Sequence, residues 1–313
     1  MTQDGTWTDE SDWEFVDSDE TQSAPAPVVA VVGRPNVGKS TLVNRLVGAR
    51  VTITSRKAQT TRHRVSGIVT TADAQFVFVD TPGFQTKHRS RLNDRMNRTV
   101  TQSIADVDAV MLVVEAGRTT DADRAVIRLL PQDTPALAAQ NKLDRLKDRD
   151  ALLPQMAELA ALHPFTAIVP VSAEKGDGVD ALLGEARTLL PIGEPLFDVD
   201  ALTDRDERFI AAEFVREKIF RLLGEEVPYA AAVAIERFAH DGDIRRIHAT
   251  VYVDRDNQRA ILLGAGGEQM KAIASAARAD MERVFGGAVF LAVQVRVRRG
   301  WADDDALLAR LGY

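Results

Sequence analysis

Cysteine is absent from all 313 residues of this chain. Disulfides and thiolate metal sites are therefore excluded, and the composition fits a reducing compartment such as the cytoplasm. Long apolar runs are absent too, because none approaches the ~18 residues that a membrane-spanning helix needs. Apolar residues make up 45% of the chain and charged residues 27%, which is ordinary for a globular protein. The length is sufficient for two domains.

Lys and Arg are missing from residues 1–27, which carry eight acidic residues. The whole chain has a formal charge of −7, so the part after this stretch is near neutral at +1. A polar, acidic segment of this kind cannot bury a core, and we predict that residues 1–27 form a disordered acidic tail. The acidic start also lacks the positive charge of a signal peptide.

One stretch has the pattern GxxxxGK[ST], and it consists of Gly33, Arg34, Pro35, Asn36, Val37, Gly38, Lys39 and Ser40. An apolar run at 28–32 predicts a strand before it, and residues from Thr41 to position 47 predict a helix after it. In that context the backbone N–H groups converge on a phosphate at the helix N-terminus. We expect Lys39 to bridge the outer phosphates and Ser40 to hold magnesium. The alternative is a glycine-rich turn that fits the pattern by chance.

Residues 51–63 are polar and basic without a stable period, and we call them the switch loop. In a nucleotide switch, such a loop supplies a threonine to the magnesium ion and the terminal phosphate. Thr60 and Thr61 are the candidates, and we assign the metal and catalytic role to Thr61. A solvated surface loop is the alternative.

A predicted strand at 74–79 is followed directly by Asp80, Thr81, Pro82 and Gly83. An acid at the carboxyl end of a strand is where a phosphate-loop protein places its second magnesium contact, so Asp80 is the candidate. The N–H of Gly83 is expected to touch the terminal phosphate. Phe84 comes next, where small signalling GTPases carry a water-orienting Gln.

A weaker strand at 135–140 precedes a four-residue motif made of Asn141, Lys142, Leu143 and Asp144. The Asp144 carboxylate can accept both adjacent donors of guanine, which adenine lacks. Asn141 is expected to tie this motif to the phosphate loop. The last predicted strand, at 166–171, leads to Ser172 and Ala173, whose backbone groups can support the guanine edge. Motifs at four strand ends predict an open, parallel α/β sheet.

The second half predicts a helix from 206, strands at 229–237 and 245–253, a helix after the loop, and a strand at 289–297. A GxxG loop, made of Gly264, Ala265, Gly266 and Gly267, lies between helices. Such a loop brings backbone close to single-stranded RNA, although a helix-capping glycine cluster is the plain alternative.

The motif order resembles the translation-factor class of GTPases, and the strings GRPNVGKS and ITSRKAQTTRHRVSGI resemble the Era family. The second half is similar to a prokaryotic, type II KH domain. The resemblance implies an α/β P-loop GTPase domain with a mostly parallel sheet at 28–190, a linker at 191–204, an α+β KH domain at 205–301 and a tail at 302–313. It further implies GTP and GDP binding, GTP hydrolysis with magnesium, and 16S ribosomal RNA and the 30S subunit as partners. A cytoplasmic monomer that contacts the inner face of the membrane is also implied.

Three departures leave alternatives open. KH loops usually carry a Lys or Arg between the glycines, whereas this one carries Ala265 and Gly266. Cations elsewhere can compensate or be solvated surface charges, and they are Arg255, Arg259, Lys271, Arg278 and the arginines at 296–299; we assign Lys271 to the RNA site. Asn36 resembles the residue with which some Era-like GTPases bind potassium beside the phosphates, although a loop Asn often only shapes its turn. Phe84 cannot orient water, so GTP held as a static ligand is a second hypothesis. A GTPase acting on tRNA is a third, disfavoured by the single motif set and the KH-like half.

Overall fold

The computed structural model describes residues 24–25, 27–72, 74–84, 90–189, 193–224 and 226–313. Most of the tail predicted at 1–27 lies outside these residues, as do His88 and part of the predicted linker. Ala24–Pro25 (β1) pairs in parallel with Gly193–Glu194 (β8). Within the described ranges, no helix is both long enough and apolar enough to cross a membrane.

The first half alternates strands and helices, as the motif order predicts. Its strands are Val28–Val32 (β2), Val65–Thr70 (β3), Gln75–Asp80 (β4), Ala109–Glu115 (β5), Ala136–Asn141 (β6) and Ala167–Pro170 (β7). Its helices are Lys39–Val47 (α1), Arg91–Ala105 (α2), Asp121–Ile127 (α3), Leu152–Leu162 (α4) and Val179–Thr188 (α5).

These six strands form one sheet in the order β3-β4-β2-β5-β6-β7. Only the β3–β4 pair is antiparallel. The sheet is buried on both faces, because α1 and α5 cover one apolar cluster while α2, α3 and α4 cover the other. Parallel strands buried on both sides are rich in Val, Ala and Leu, and these strands are. Their carboxyl ends, with the motifs, share one edge of the sheet.

The second half is a separate layer of helices on a small sheet. Its helices are Glu207–Leu222 (α6), Glu226–Tyr229 (α7), Asp256–Leu263 (α8), Glu268–Phe285 (α9) and Asp305–Arg310 (α10). Its strands are Ala231–Asp241 (β9), Ile244–Val253 (β10) and Val289–Val297 (β11), in the order β11-β10-β9. Strands β10 and β11 are parallel, and β9 and β10 are antiparallel. The faces of α6 and α9 pack on the sheet around Phe214, Ile273 and Met281.

The last residues of the chain join the two halves. Leu307 and Leu308 of α10 pack with Leu92 and Met96 of α2 in one buried cluster. Trp301 lies in the same cluster, and its indole N–H donates to Ala230 O at 2.8 Å. Trp301 therefore anchors the packing of these last residues.

Candidate functional site

The phosphate loop runs from buried β2 into α1, as the GxxxxGK[ST] pattern predicts. Lys39 is buried and folds back over the loop, where its Nζ donates to Gly33 O at 3.1 Å and to Arg34 O at 3.2 Å. Burial lowers the pKa of Lys39 to about 8, against the opposing attraction of Asp80. A phosphate inside the loop would add a close counter-charge to this buried ammonium.

Three candidate magnesium ligands come together from three different segments. Ser40 Oγ lies 2.7 Å from Thr61 Oγ1, and Thr61 Oγ1 donates to Asp80 Oδ2 at 3.3 Å. Thr60 points elsewhere, since its hydroxyl bonds Ser55 and the carbonyl of Lys57. Of the two threonines that the sequence offered, the structure therefore brings Thr61 to the cluster.

Asp80 is fully buried, and its second oxygen, Oδ1, has no hydrogen-bond partner among the described residues. Burial raises the pKa of Asp80, although Lys39 and the hydroxyls of Ser40, Thr52 and Thr61 act in the opposite direction. A buried carboxylate oxygen without a partner is costly unless a cation or water meets it. The donor set of two hydroxyls and one carboxylate is the oxygen chemistry that Mg²⁺ prefers, so these residues fit that ion.

The segment after β4 lies directly on the phosphate loop. Thr81 Oγ1 donates to Val31 O at 2.8 Å, which holds the segment against β2. Gly83 is so close to Pro35 that a Cβ there would lie 2.7 Å from Pro35 Cα. Phe84 packs against the apolar cluster under α2. Pro82 and Gly83 therefore stand beside the phosphate loop, and the following residues, 85–89, lie outside the described residues.

The predicted tie between Asn141 and the phosphate loop is present. Asn141 Nδ2 donates to Val37 O at 2.8 Å, and its Oδ1 accepts from the N–H of Ala173 at 3.0 Å. Gly38 makes this possible, since its φ is 99° and a Cβ there would lie 2.3 Å from Asn141 Nδ2. One side chain thus joins the phosphate loop, the Asn141 motif and the loop after β7.

Asp144 follows Asn141 by three residues and is held by the loop after β7. Its Oδ1 accepts from Ser172 Oγ at 2.6 Å, so the carboxylate is oriented by the loop that also carries Ala173. The backbone of Leu143 donates to Val171 O at 3.1 Å, which joins the two loops. The other carboxylate oxygen of Asp144, Oδ2, makes a longer contact, since it lies 3.8 Å from Arg145 Nε.

A network of ion pairs that the sequence does not predict links the phosphate loop to the Asn141 motif. Glu115 Oε2 accepts from Arg34 Nη2 at 3.0 Å and from Lys142 Nζ at 3.1 Å, and Arg34 Nε also lies 3.1 Å from Asp123 Oδ1. The pKa of Glu115 is lowered by these hydrogen-bonded cations, against the effect of its partial burial. Only the backbone of Arg34 therefore faces the phosphate position.

The switch loop connects this site to the second half of the chain. Lys57 Nζ donates to the carbonyls of Leu223 and Gly224, and the N–H of Thr54 donates to Glu217 Oε1 at 3.0 Å. Arg62 is buried, and its guanidinium donates to the carbonyls of Pro228, Tyr229 and Ala231. Arg62 thus faces away from the phosphate loop. This arrangement does not support a role for Arg62 as an internal arginine finger at the phosphates.

The GxxG loop lies at the exposed end of the second half, between α8 and α9. Gly264, Gly266 and Gly267 have φ values of 73°, 58° and 83°, so three of its four residues occupy a region that favours glycine. Ala265 and Gly266 are exposed, and so is Lys271 on the first turns of α9. The loop therefore presents bare backbone beside one cation.

Comparisons with known proteins find relatives that match along most of this chain. GTPase Era of Nitrosomonas eutropha is 51% identical over 288 residues, which cover 92% of this chain and 97% of that protein. GTPase Era of Bordetella avium is 53% identical over 285 residues, covering 91% of this chain and 96% of that protein.

Solved structures of Era also match over both halves. A variant from Aquifex aeolicus bound to GDP and AlF4⁻ has a TM-score of 0.88 and 36% identity, covering 92% of this chain and 99% of that one. A structure of Era with MgGDPNP and nucleotides 1506–1542 of 16S ribosomal RNA also has a TM-score of 0.88 and 36% identity. It covers 93% of this chain and 99% of that one.

The family model described as a 50S ribosome-binding GTPase matches residues 28–142, and the KH domain model matches residues 226–302. With the fold and the strand-end motifs, these matches define a P-loop GTPase followed by a KH domain. Both Era relatives are more than half identical to this chain over about nine tenths of its length, so sequence identity selects one family within this class. The chain belongs to the Era family of GTPases.

Proposed function

We propose that this protein binds GTP and magnesium at the edge of its larger sheet, hydrolyses GTP, and binds the 3′ region of 16S ribosomal RNA during assembly of the 30S subunit. The division into domains at 28–190 and 205–301 is part of the same proposal. The observation that carries it is the meeting of Ser40, Thr61 and Asp80 at the phosphate loop, with Asn141 joining that loop to Asp144.

In this proposal the residues position and polarise rather than form covalent intermediates, as in other phosphoryl transfer. Backbone N–H groups of residues 33–41 receive the phosphates, and Lys39 places its ammonium on the outer ones. Gly83 packs closely against Pro35 of the phosphate loop, and its N–H is the group that meets the terminal phosphate in this proposal. Ser40, Thr61 and Asp80 hold magnesium, which neutralises charge on the phosphates when it is bound. Asp144 reads guanine, with the loop of Ser172 and Ala173 behind it.

The RNA part rests on the KH fold, the GxxG backbone and the solved relative that contains 16S nucleotides. Gly264, Ala265, Gly266 and Gly267 approach the RNA backbone, and Lys271 supplies one phosphate contact. Between residues 205 and 299 there are 16 Lys and Arg against 14 Asp and Glu, so bulk charge contributes little. Stacking and base hydrogen bonds in a groove are expected to dominate.

The experiment that tests the enzymatic part is phosphate release from GTP and from ATP, with and without a 16S fragment. We expect magnesium-dependent turnover of GTP, none of ATP, and faster turnover with RNA. Stoichiometric GTP binding without phosphate release under both conditions would favour the static-ligand hypothesis that Phe84 keeps open.

Potassium is a separate part of the proposal. Asn36 is exposed with φ at 65°, and its side chain makes no hydrogen bond to any other described residue. Its carbonyl oxygen can therefore ligate K⁺ beside the phosphates, and the left-handed turn is the competing reason for an Asn. We expect faster turnover in KCl than in NaCl at equal ionic strength, and loss of the difference in Asn36→Ala. Equal rates in the two salts would contradict potassium binding and leave shaping the left-handed turn as the role of Asn36.

Location and assembly complete the proposal. By family resemblance the protein is a cytoplasmic monomer that contacts the inner face of the membrane. Sedimentation of purified protein and fractionation of cells test these statements, and a stable dimer or an absence from membrane fractions would contradict the respective part.

A further inference from the structure

Thr52, a switch-loop residue outside the nucleotide-binding motifs, contacts the candidate magnesium site. Its side chain is buried, and its Oγ1 donates to Asp80 Oδ2 at 2.9 Å. This bond is shorter than the 3.3 Å bond from Thr61 to the same oxygen. Thr52 thus holds one oxygen of Asp80, while Oδ1 is left buried and without a partner among the described residues.

The backbone around Thr52 is itself fixed by a side chain of α1. Asn44 Oδ1 accepts from the N–H groups of Val51 and Thr52 at 2.9 and 3.0 Å, and Asn44 Nδ2 donates to Thr52 O at 2.8 Å. One side-chain amide therefore satisfies all three of these backbone groups. Such a set of bonds holds this part of the switch loop in register with α1.

Asn44 lies one helical turn after Ser40, so the two side chains share a face of α1. The contacts thus close into a ring. Ser40 and Asn44 stand on the same helix, Asn44 fixes Thr52, Thr52 fixes Asp80, and Thr61 joins Asp80 back to Ser40. Side-chain hydrogen bonds within the chain therefore hold Ser40, Thr61 and Asp80 in place relative to one another.

We propose that Thr52 is a positioning residue for magnesium: its hydroxyl fixes the Asp80 carboxylate so that Oδ1 is presented to the ion, with Asn44 holding Thr52 in place. This inference deepens the proposed function and rests on it. Groups that orient a ligand from behind typically change metal affinity 10–100-fold when they are removed. Thr52 makes one such bond, so we expect an effect near the lower end.

The test uses Thr52→Val, which keeps the shape and removes the donor, in the full-length protein. Binding of a fluorescent GDP analogue is measured while Mg²⁺ is varied, and again in excess EDTA. We expect about a tenfold rise in the Mg²⁺ concentration needed for half of the metal-dependent gain in GDP affinity. In EDTA the affinity of the variant for GDP should equal that of the parent.

Two controls separate positioning from a general structural role. Thr52→Ser keeps the hydroxyl and should restore the parental Mg²⁺ dependence. Thr101→Val removes an exposed hydroxyl that, among the described residues, bonds the carbonyl of Asn97 in its own helix, and it should change nothing. The thermal midpoint of the nucleotide-free protein identifies a variant that simply loses stability.

An unchanged Mg²⁺ dependence in Thr52→Val would overturn the inference, and so would an equal loss of GDP affinity in Mg²⁺ and in EDTA. Failure of Thr52→Ser to restore the Mg²⁺ dependence would also overturn it. If the parent itself binds no GDP analogue, the proposed function fails instead, and that outcome is seen before any variant is compared.

Discussion

Arg62 offers the sharpest test of how the two halves are joined. Its side chain is only 2% exposed, and it donates to Ala231 O at 2.9 Å, Tyr229 O at 3.0 Å and Pro228 O at 3.1 Å. The guanidinium carbon also lies 5.6 Å from the ring of Phe220. Arg62→Met keeps the length of the side chain and removes every donor, so three carbonyls lose the guanidinium at once.

The size of the effect follows from the two buried contacts, those to Pro228 O and Ala231 O, since the contact to Tyr229 O is only partly buried. A buried polar group that loses its partner costs about 1–3 kcal/mol, which gives roughly 2–6 kcal/mol for the two. Part of this is offset, because burial also lowers the pKa of Arg62 and the variant no longer buries a charge. We therefore expect a net loss of about 3 kcal/mol in the free energy of unfolding.

Urea unfolding of the full chain, followed by circular dichroism, measures this loss. Arg56→Met is the matched control, because Arg56 is an exposed arginine of the same switch loop. A surface change of this kind should stay within about 0.5 kcal/mol of the parent. If the two variants were equally stable, the three carbonyl contacts of Arg62 would carry no weight and the reasoning would be refuted.

Three further outcomes are expected. Asp144→Asn exchanges an acceptor for a donor and should shift preference from GTP toward XTP in a titration, and unchanged preference would remove Asp144 from the guanine site. Gly267→Asp puts a charge where φ is 83° and nothing lies within 4 Å, so it should weaken binding of a single-stranded 16S fragment and leave GDP binding intact; parental RNA affinity would place the groove elsewhere. Burial lowers the pKa of His63 from 6.5 to about 4. The contribution of neutral His63 to the free energy of unfolding should therefore be fully present above pH 6.5, and the free energy of unfolding should fall by about 3 kcal/mol toward pH 4. A pH profile unaffected by His63→Gln would contradict this.

The sequence predicts the first half well because its signals are local. Strand β2 begins and ends where the apolar run does, and β4 and β6 lie within one or two residues of their predicted positions. In β11 the alternation predicts both ends of the strand. Periodicity and strand-end motifs depend on neighbours in the chain, so one sequence suffices to read them.

Contacts across the chain are what the sequence does not reveal. Thr52 lies 28 positions from Asp80 and fits no motif, and Arg62 meets carbonyls about 170 positions away. Strand β3 was not predicted, although it pairs along the edge of the sheet with β4. Such residues are chosen by tertiary packing, and only the fold brings them together.

We expect the nucleotide site and the RNA-binding half to be coupled through the switch loop. Thr61 stands at the candidate magnesium site, and the next residue, Arg62, is held by the second half of the chain. Coupling of this kind is reciprocal, so the bound nucleotide must change RNA affinity if it changes the switch loop.

The most direct measurement is the Kd for a 16S fragment equivalent to nucleotides 1506–1542, taken with GDPNP and with GDP at the same salt concentration. We predict tighter binding with GDPNP, by at least about fivefold. Equal affinity in the two nucleotide states would contradict the coupling.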